Sequence, residues 1–168
     1  MPEVLEPRSS AATVRIARRV TLLILVLAMV GILAELLLIE HFEDPWQILP
    51  LALLMIGFAA LAWHARAPSV ASARTLRAVM TLFVLAGILG IFLHYQGNVE
   101  FELEQNPGAS RWTLFREAVQ GATPALAPGV MVQLGLLGLL YAFLTSTAKI
   151  QNSEFSHPER SEGSYPPQ

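Results

Sequence analysis

VTLLILVLAMVGILAELLLI, residues 20–39, contains a single charge, Glu35. A helix of this length climbs about 30 Å at ~1.5 Å per residue, which is the thickness of a bilayer's hydrocarbon core. Three further runs have the same character: residues 46–63, 76–93 and 130–147. Backbone N–H and C=O groups in lipid must pair within their own segment, so each run predicts a membrane-crossing α-helix. Composition agrees: 54% of the 168 residues are apolar and only 14% charged, with the charges gathered between the runs. The expected fold is an all-α integral membrane domain over residues 15–150, a bundle of four transmembrane helices. Its natural partner is the lipid bilayer.

Arg15, Arg18 and Arg19 ahead of the first run imitate a signal peptide. The run is longer than a signal sequence, carries Glu35 and lacks a small-residue cleavage site before His41, so a retained helix is expected. The absence of cysteine excludes thiol redox chemistry, thiolate metal sites and disulfides. Threading follows from the positive-inside bias. Arg8, Arg15, Arg18, Arg19, Arg66, Arg74, Arg77, Lys149 and Arg160 fall on one side of the runs, and only Arg111 and Arg116 on the other. Glu40, Glu43, Asp44, Glu100, Glu102, Glu104 and Glu117 all join the second side. Both termini are therefore expected in the cytoplasm of a cell, with an acidic outer face.

Residues 1–14 and 151–168 are polar, rich in Pro and Ser, and cannot bury enough surface to offset their ordering entropy. They are expected to be disordered cytoplasmic tails. Within the second, residues 156–164 (SHPERSEGS) resemble peptide stretches at the ends of unrelated bacterial chains that look like translated genomic repeats. This implies a bacterial inner membrane and removes His157 from the candidate ligands.

Sliding the chain by 59 positions aligns residues 12–43 with 71–102 and pairs Arg15 with Arg74, Arg18 with Arg77, Gly31 with Gly90, Phe42 with Phe101 and Glu43 with Glu102. A parallel 2+2 internal repeat would produce this, as in transporters whose halves are related by an axis along the membrane normal. Two helices running the same way with basic inner ends would produce part of it by composition alone. The alignment places Glu35 on His94. Each ends a small-residue stripe, Ala28-x-x-Gly31-x-x-x-Glu35 and Gly87-x-x-Gly90-x-x-x-His94. Gly57, Ala60 and His64 repeat the spacing in the second run, and Gly135, Gly138 and Ala142 in the fourth. Such stripes let membrane helices approach closely.

An ionisable residue within a span is costly and faces a bundle interior or a watery cavity, which makes Glu35 and His94 the leading site candidates. Gln47 and Gln133, near the outer ends of their runs, extend the candidate polar pocket. His41 and Glu100 are further candidates on the outer face. His41 and His94 invite a haem or metal reading, but no His-x-x-Glu or Glu-x-x-His pair lies inside a span, and no metal or cofactor is assigned. The competing interpretation of Glu35 and His94 is a polar clamp between helices.

The outer loop, 96–127, opens with the strict alternation Val99-Glu100-Phe101-Glu102-Leu103-Glu104, which predicts an extended segment with its carboxylates on one face. Asn106-Pro107-Gly108 reads as a turn, and residues 110–119 as a short helix with Trp112 and Phe115 on one side. Residues 121–129, apolar and proline-containing, read as an interfacial or re-entrant lead-in to the fourth span. No phosphate-binding loop, dinucleotide fingerprint, zinc-protease motif or nucleic-acid footprint is present, which argues against an enzyme and against nucleic acid as partner. Two functions remain in view: a binding unit for a small ligand, proton or cation in an outward-facing polar pocket, and an accessory subunit docking a second copy or a partner membrane protein. A haem or metal redox protein stands third.

Overall fold

A computed structural model describes residues 7–121 and 124–155. Five helices follow in order: α1 (Pro7–Leu38), α2 (Pro45–Arg66), α3 (Val70–Gln105), α4 (Arg111–Gln120) and α5 (Gly129–Phe155). The described residues contain no strand. Four helices, α1, α2, α3 and α5, are long and apolar enough to cross a membrane, one for each run in the sequence. Helix reaches into both expected tails, from Pro7 and as far as Phe155. Residues 1–6 and 156–168, with the SHPERSEGS peptide and His157, lie outside the described residues.

The helix ends follow from local chemistry. Asp44 caps α2, its carboxylate accepting from the N–H groups of Trp46 and Gln47 at 2.8 and 3.1 Å, with Pro45 where a missing N–H costs nothing. Ser69 and Ser72 form a reciprocal capping box at the start of α3, and Ser110 caps α4. The end of α1 has no glycine. His41 N–H donates to the Leu36 carbonyl and Glu40 N–H to that of Leu37, a Schellman closure that puts Glu40 at φ 54°. A non-glycine residue there costs about 1 kcal/mol.

Helix α3 is the hub: it packs along α5, against α2, and carries α4. Helix α1 lies on α5, so the order around the bundle is α1, α5, α3, α2, with α1 and α3 diagonal. Leu25, Met29, Leu54, Met80, Phe83 and Leu134 form the core and are essentially inaccessible. Close approach of α3 and α5 depends on Gly135, where a Cβ would stand 2.6 Å from the Met80 carbonyl oxygen, and on Gly138, set directly against the Met80 side chain. At the α2–α3 turn, buried His64 bonds through Nδ1 to Ser72 Oγ at 2.9 Å and meets Tyr141 of α5 edge-on. Arg77 ties α3 to α5 by donating to Ser146 Oγ at 2.9 Å.

The expectation of an extended segment at 99–104 is overturned. Helix α3 continues through it to Gln105, and its 36 residues span about 54 Å, well beyond a hydrocarbon core. A helix already running adds each residue for one bond, whereas a strand needs a neighbour to pair with, and none is supplied. Six alternating residues of which three are Glu, a good helix former, do not stop a helix; Asn106-Pro107-Gly108 does. The short helix expected at 110–119 is present as α4, docked back on α3. Tyr95 faces Phe115, Phe115 stacks on Trp112, and Asn98, 3% exposed, donates to the Ala118 carbonyl at 2.9 Å. Among the described residues of 96–127, irregular backbone is thus confined to 106–110, 121 and 124–127.

The two halves differ where a 2+2 repeat would match them. Helices α3 and α5 are in extended contact, while α1 and α2, joined by residues 39–44, scarcely touch. Gly90 is pressed against Pro128, with a Cβ position 2.7 Å from the ring, but its aligned partner Gly31 faces nothing within 4 Å.

Candidate functional site

Residues 39–44, 106–121 and 124–128 lie at one end of the bundle, the acidic end, and the α2–α3 turn at the other. A cavity of about 770 Å³ opens at the acidic end. That is the size of a small-molecule pocket, about 300–1,000 Å³. Its walls come from all four long helices and from the lead-in to α5.

Each polar side chain arrives by a separate route. Glu35 lies one turn before the end of α1, exposed at the mouth. The left-handed Glu40 reverses the chain and returns His41 over the cavity, with its ring 6.5 Å from that of His94 and tilted by 51°. Asp44 and Gln47 enter with the capping turn of α2; Gln47 Oε1 accepts from Glu43 N–H at 2.9 Å, which leaves its amide nitrogen uncommitted. His94 comes from α3, faces the Pro124 carbonyl, and has an Nδ1 that is buried without a protein partner. A polar atom so placed costs about 1–3 kcal/mol until something bonds to it.

The cavity therefore gathers Glu35, His41, Gln47 and His94, four of the six residues picked out in the sequence. The remaining two lie elsewhere. Gln133 is exposed, because the inward face of α5 is set by Met131, Leu134 and Gly135, and two residues turn a helix through about 200°. Glu100 is exposed on the part of α3 beyond the cavity. Asp44 and Trp46 escaped sequence reading as pocket residues, whereas the lead-in was read as an interfacial or re-entrant segment and its Pro124 and Pro128 line the pocket. Asp44 reads as one charge among several, but an acidic residue directly before Pro-Trp-Gln is also a helix cap, and that signal fixes it at the mouth.

The lead-in is partly packed: Ala125 is buried and Pro128 half-buried, while Pro124, Leu126 and Ala127 stay exposed. Residues 124–128 fold as turns onto α3. Gly87 and Gly90 make room for this: added Cβ atoms would stand 3.0 Å from the Pro128 carbonyl oxygen and 2.7 Å from its ring. The small stripe of α3 thus packs at Gly87 on α5, where a Cβ would stand 2.7 Å from the Val132 side chain and 2.8 Å from its backbone nitrogen, and at Gly90 on the proline turn that leads into it. Residues 122 and 123 are outside the described residues.

Below the mouth the walls become apolar, through Ile32, Leu36, Pro50, Ala86 and Met131. One turn further in, each of the four long helices contributes a buried residue to the floor: Met29, Leu54, Phe83 and Leu134. Gly57 lets Phe83 and Met29 close over α2, its Cβ position lying 2.7 Å from the Phe83 ring. The cavity is a blind pocket. Among the described residues no three His, Asp or Glu side chains converge as a metal cluster.

Fold and site together define a helical membrane protein with a pocket sunk into one end of its bundle, polar at the mouth and apolar beneath. No family model, curated protein or solved structure matches the chain.

Proposed function

We propose that this chain is a multi-pass protein of a bacterial inner membrane, with both termini cytoplasmic, that binds a small ligand in the pocket at its outer, acidic end. The observation carrying the reading is that Glu35, His41, Gln47 and His94, spread over sixty residues of chain, line one blind pocket of about 770 Å³. A clamp between helices would place Glu35 and His94 in contact and buried; Glu35 instead stays exposed at the mouth. The closed floor suits binding, sensing or one stage of a carrier cycle, and does not suit an open channel.

Two measurements test this. The chain has no cysteine, so single thiols report cleanly. In intact cells Asn106→Cys reacts with a membrane-impermeant maleimide and Ser69→Cys does so only after lysis; the reverse pattern overturns the threading. For binding, protein extracted in mild detergent carries a small non-protein mass by native mass spectrometry. It is lost in Glu35→Ala and His94→Ala, whose unfolding free energies stay within about 1 kcal/mol of wild type. An adduct-free wild type, or one whose adduct survives both substitutions, removes the proposal.

One observation favours an accessory role beside it. Helix α1 is the least buried span, with Leu23, Leu27, Val30 and Gly31 all exposed. This face suits lipid or a partner membrane protein.

A further inference from the structure

The pocket has a depth, a side opening and a charge bias, and together they narrow its ligand. Depth comes from α3: Ala86 and His94 both line the pocket, eight residues and about 12 Å apart. The floor residues Met29, Leu54 and Phe83 stand close to the midpoints of the apolar runs 20–39, 46–63 and 76–93. The pocket therefore reaches from one membrane surface to the bilayer centre, a span comparable with one leaflet's hydrocarbon, about 15 Å.

The side opening follows from the packing order. Three flanks of the bundle are closed by packed pairs, α1 with α5, α5 with α3, and α3 with α2. The fourth, between α1 and α2, is barely in contact, and residues on both of its edges line the pocket while remaining exposed: Ile39 on one and Trp46 and Leu49 on the other. That flank faces lipid hydrocarbon, so an alkyl chain can pass sideways without crossing water.

The charge bias lies at the mouth. Glu35 and Asp44 supply carboxylates, and no Lys or Arg lines the pocket. Pro50 lacks the N–H that would bond the Trp46 carbonyl, which releases one more acceptor on the same wall. A mouth rich in acceptors and free of permanent cations disfavours an anionic head and suits one that donates hydrogen bonds.

Building on the binding function above, we infer that the pocket holds a lipid-like amphiphile taken from the outer leaflet through the α1–α2 flank. Its neutral or cationic, hydrogen-bond-donating head sits at Glu35 and Asp44, and its apolar tail lies along Ile32, Leu36, Ala86 and Met131 at the deep end.

The test uses the full chain in detergent micelles with one thiol at the deep end, Ala86→Cys, and one on the lipid face of α1, Leu27→Cys, which lies outside the pocket. The rate of reaction with N-ethylmaleimide is followed against octadecylamine, stearic acid and ethanolamine at equal concentrations. Octadecylamine slows Ala86→Cys at least tenfold and leaves Leu27→Cys unchanged, while stearic acid and ethanolamine give less than a twofold effect. Leu89→Cys, also on the pocket wall, takes the place of Ala86→Cys if that variant does not fold. Protection by ethanolamine equal to that by octadecylamine overturns the tail and leaves a small polar ligand, so that the binding function survives. Equal protection by stearic acid overturns the head preference. Equal slowing at Leu27→Cys, or no slowing anywhere, overturns the inference; if the native adduct is absent as well, the binding function falls with it.

Discussion

Gly135→Val is expected to destabilise the bundle by about 3 kcal/mol, the upper range for overpacking a close contact, whereas Gly31→Val changes stability by less than about 1 kcal/mol. Both glycines sit on small-residue stripes in apolar helices, and the sequence treats them alike. Their surroundings differ. A Cβ at Gly135 meets the Met80 carbonyl oxygen at 2.6 Å and the Val84 nitrogen at 3.0 Å, which are backbone atoms that yield only if α3 and α5 move apart. A Cβ at Gly31 meets nothing within 4 Å. Lipid removes the hydrophobic drive between helices, so a widened contact loses dispersion energy that nothing replaces. Unfolding in mixed micelles of mild detergent and dodecyl sulfate, followed by circular dichroism, reads both variants. Equal effects at the two positions would sink the assignment of α3–α5 as the tight pair.

The second large effect is expected at the floor. Phe83→Ala costs about 3–5 kcal/mol, the range for removing a buried aromatic ring. Phe83 is fully buried between Met29, Gly57 and the core of α3 and α5. Its removal also extends the pocket into the volume the ring vacates, so a thiol at Met29→Cys, inert to maleimide under an intact floor, becomes reactive when combined with Phe83→Ala. A floor that stays closed to reagent, or a loss below about 1 kcal/mol, would mean that Phe83 neither seals the pocket nor organises the core.

Much of the site was legible because its cost is local. Glu35 within residues 20–39 and His94 at the end of 76–93 stand out in any context, since placing an ionisable group at membrane depth demands compensation. Gln47 was legible from its place beside a helix start. His41 looked less suited, because an ideal helix continued past Leu38 would turn it about 120° from Glu35. The left-handed Glu40 ends that helix and carries His41 back over the pocket. Gln133 was chosen by depth, although its place on the helix lies away from the Gly135 stripe, and Glu100 was chosen as a carboxylate of the outer face. The rotation of α5 is set by Gly135 against Met80, a contact between residues fifty-five positions apart. The misreading at 99–104 has the opposite origin: a short alternation carries less weight than a long helix that nothing has yet stopped.

The sequence by itself determined the number of long apolar helices and the segregation of charge between the two ends of the bundle. Hydrocarbon thickness and backbone pairing act on each segment separately, so these features need no knowledge of neighbours. Only the tertiary structure decided that four polar residues share one pocket, that its floor lies near the centre of the spans, and that the α1–α2 flank is open while α3–α5 is closed. Those outcomes depend on rotations and close approaches between distant segments, where a few ångströms at Gly87, Gly90 and Gly135 separate a packed wall from an opening.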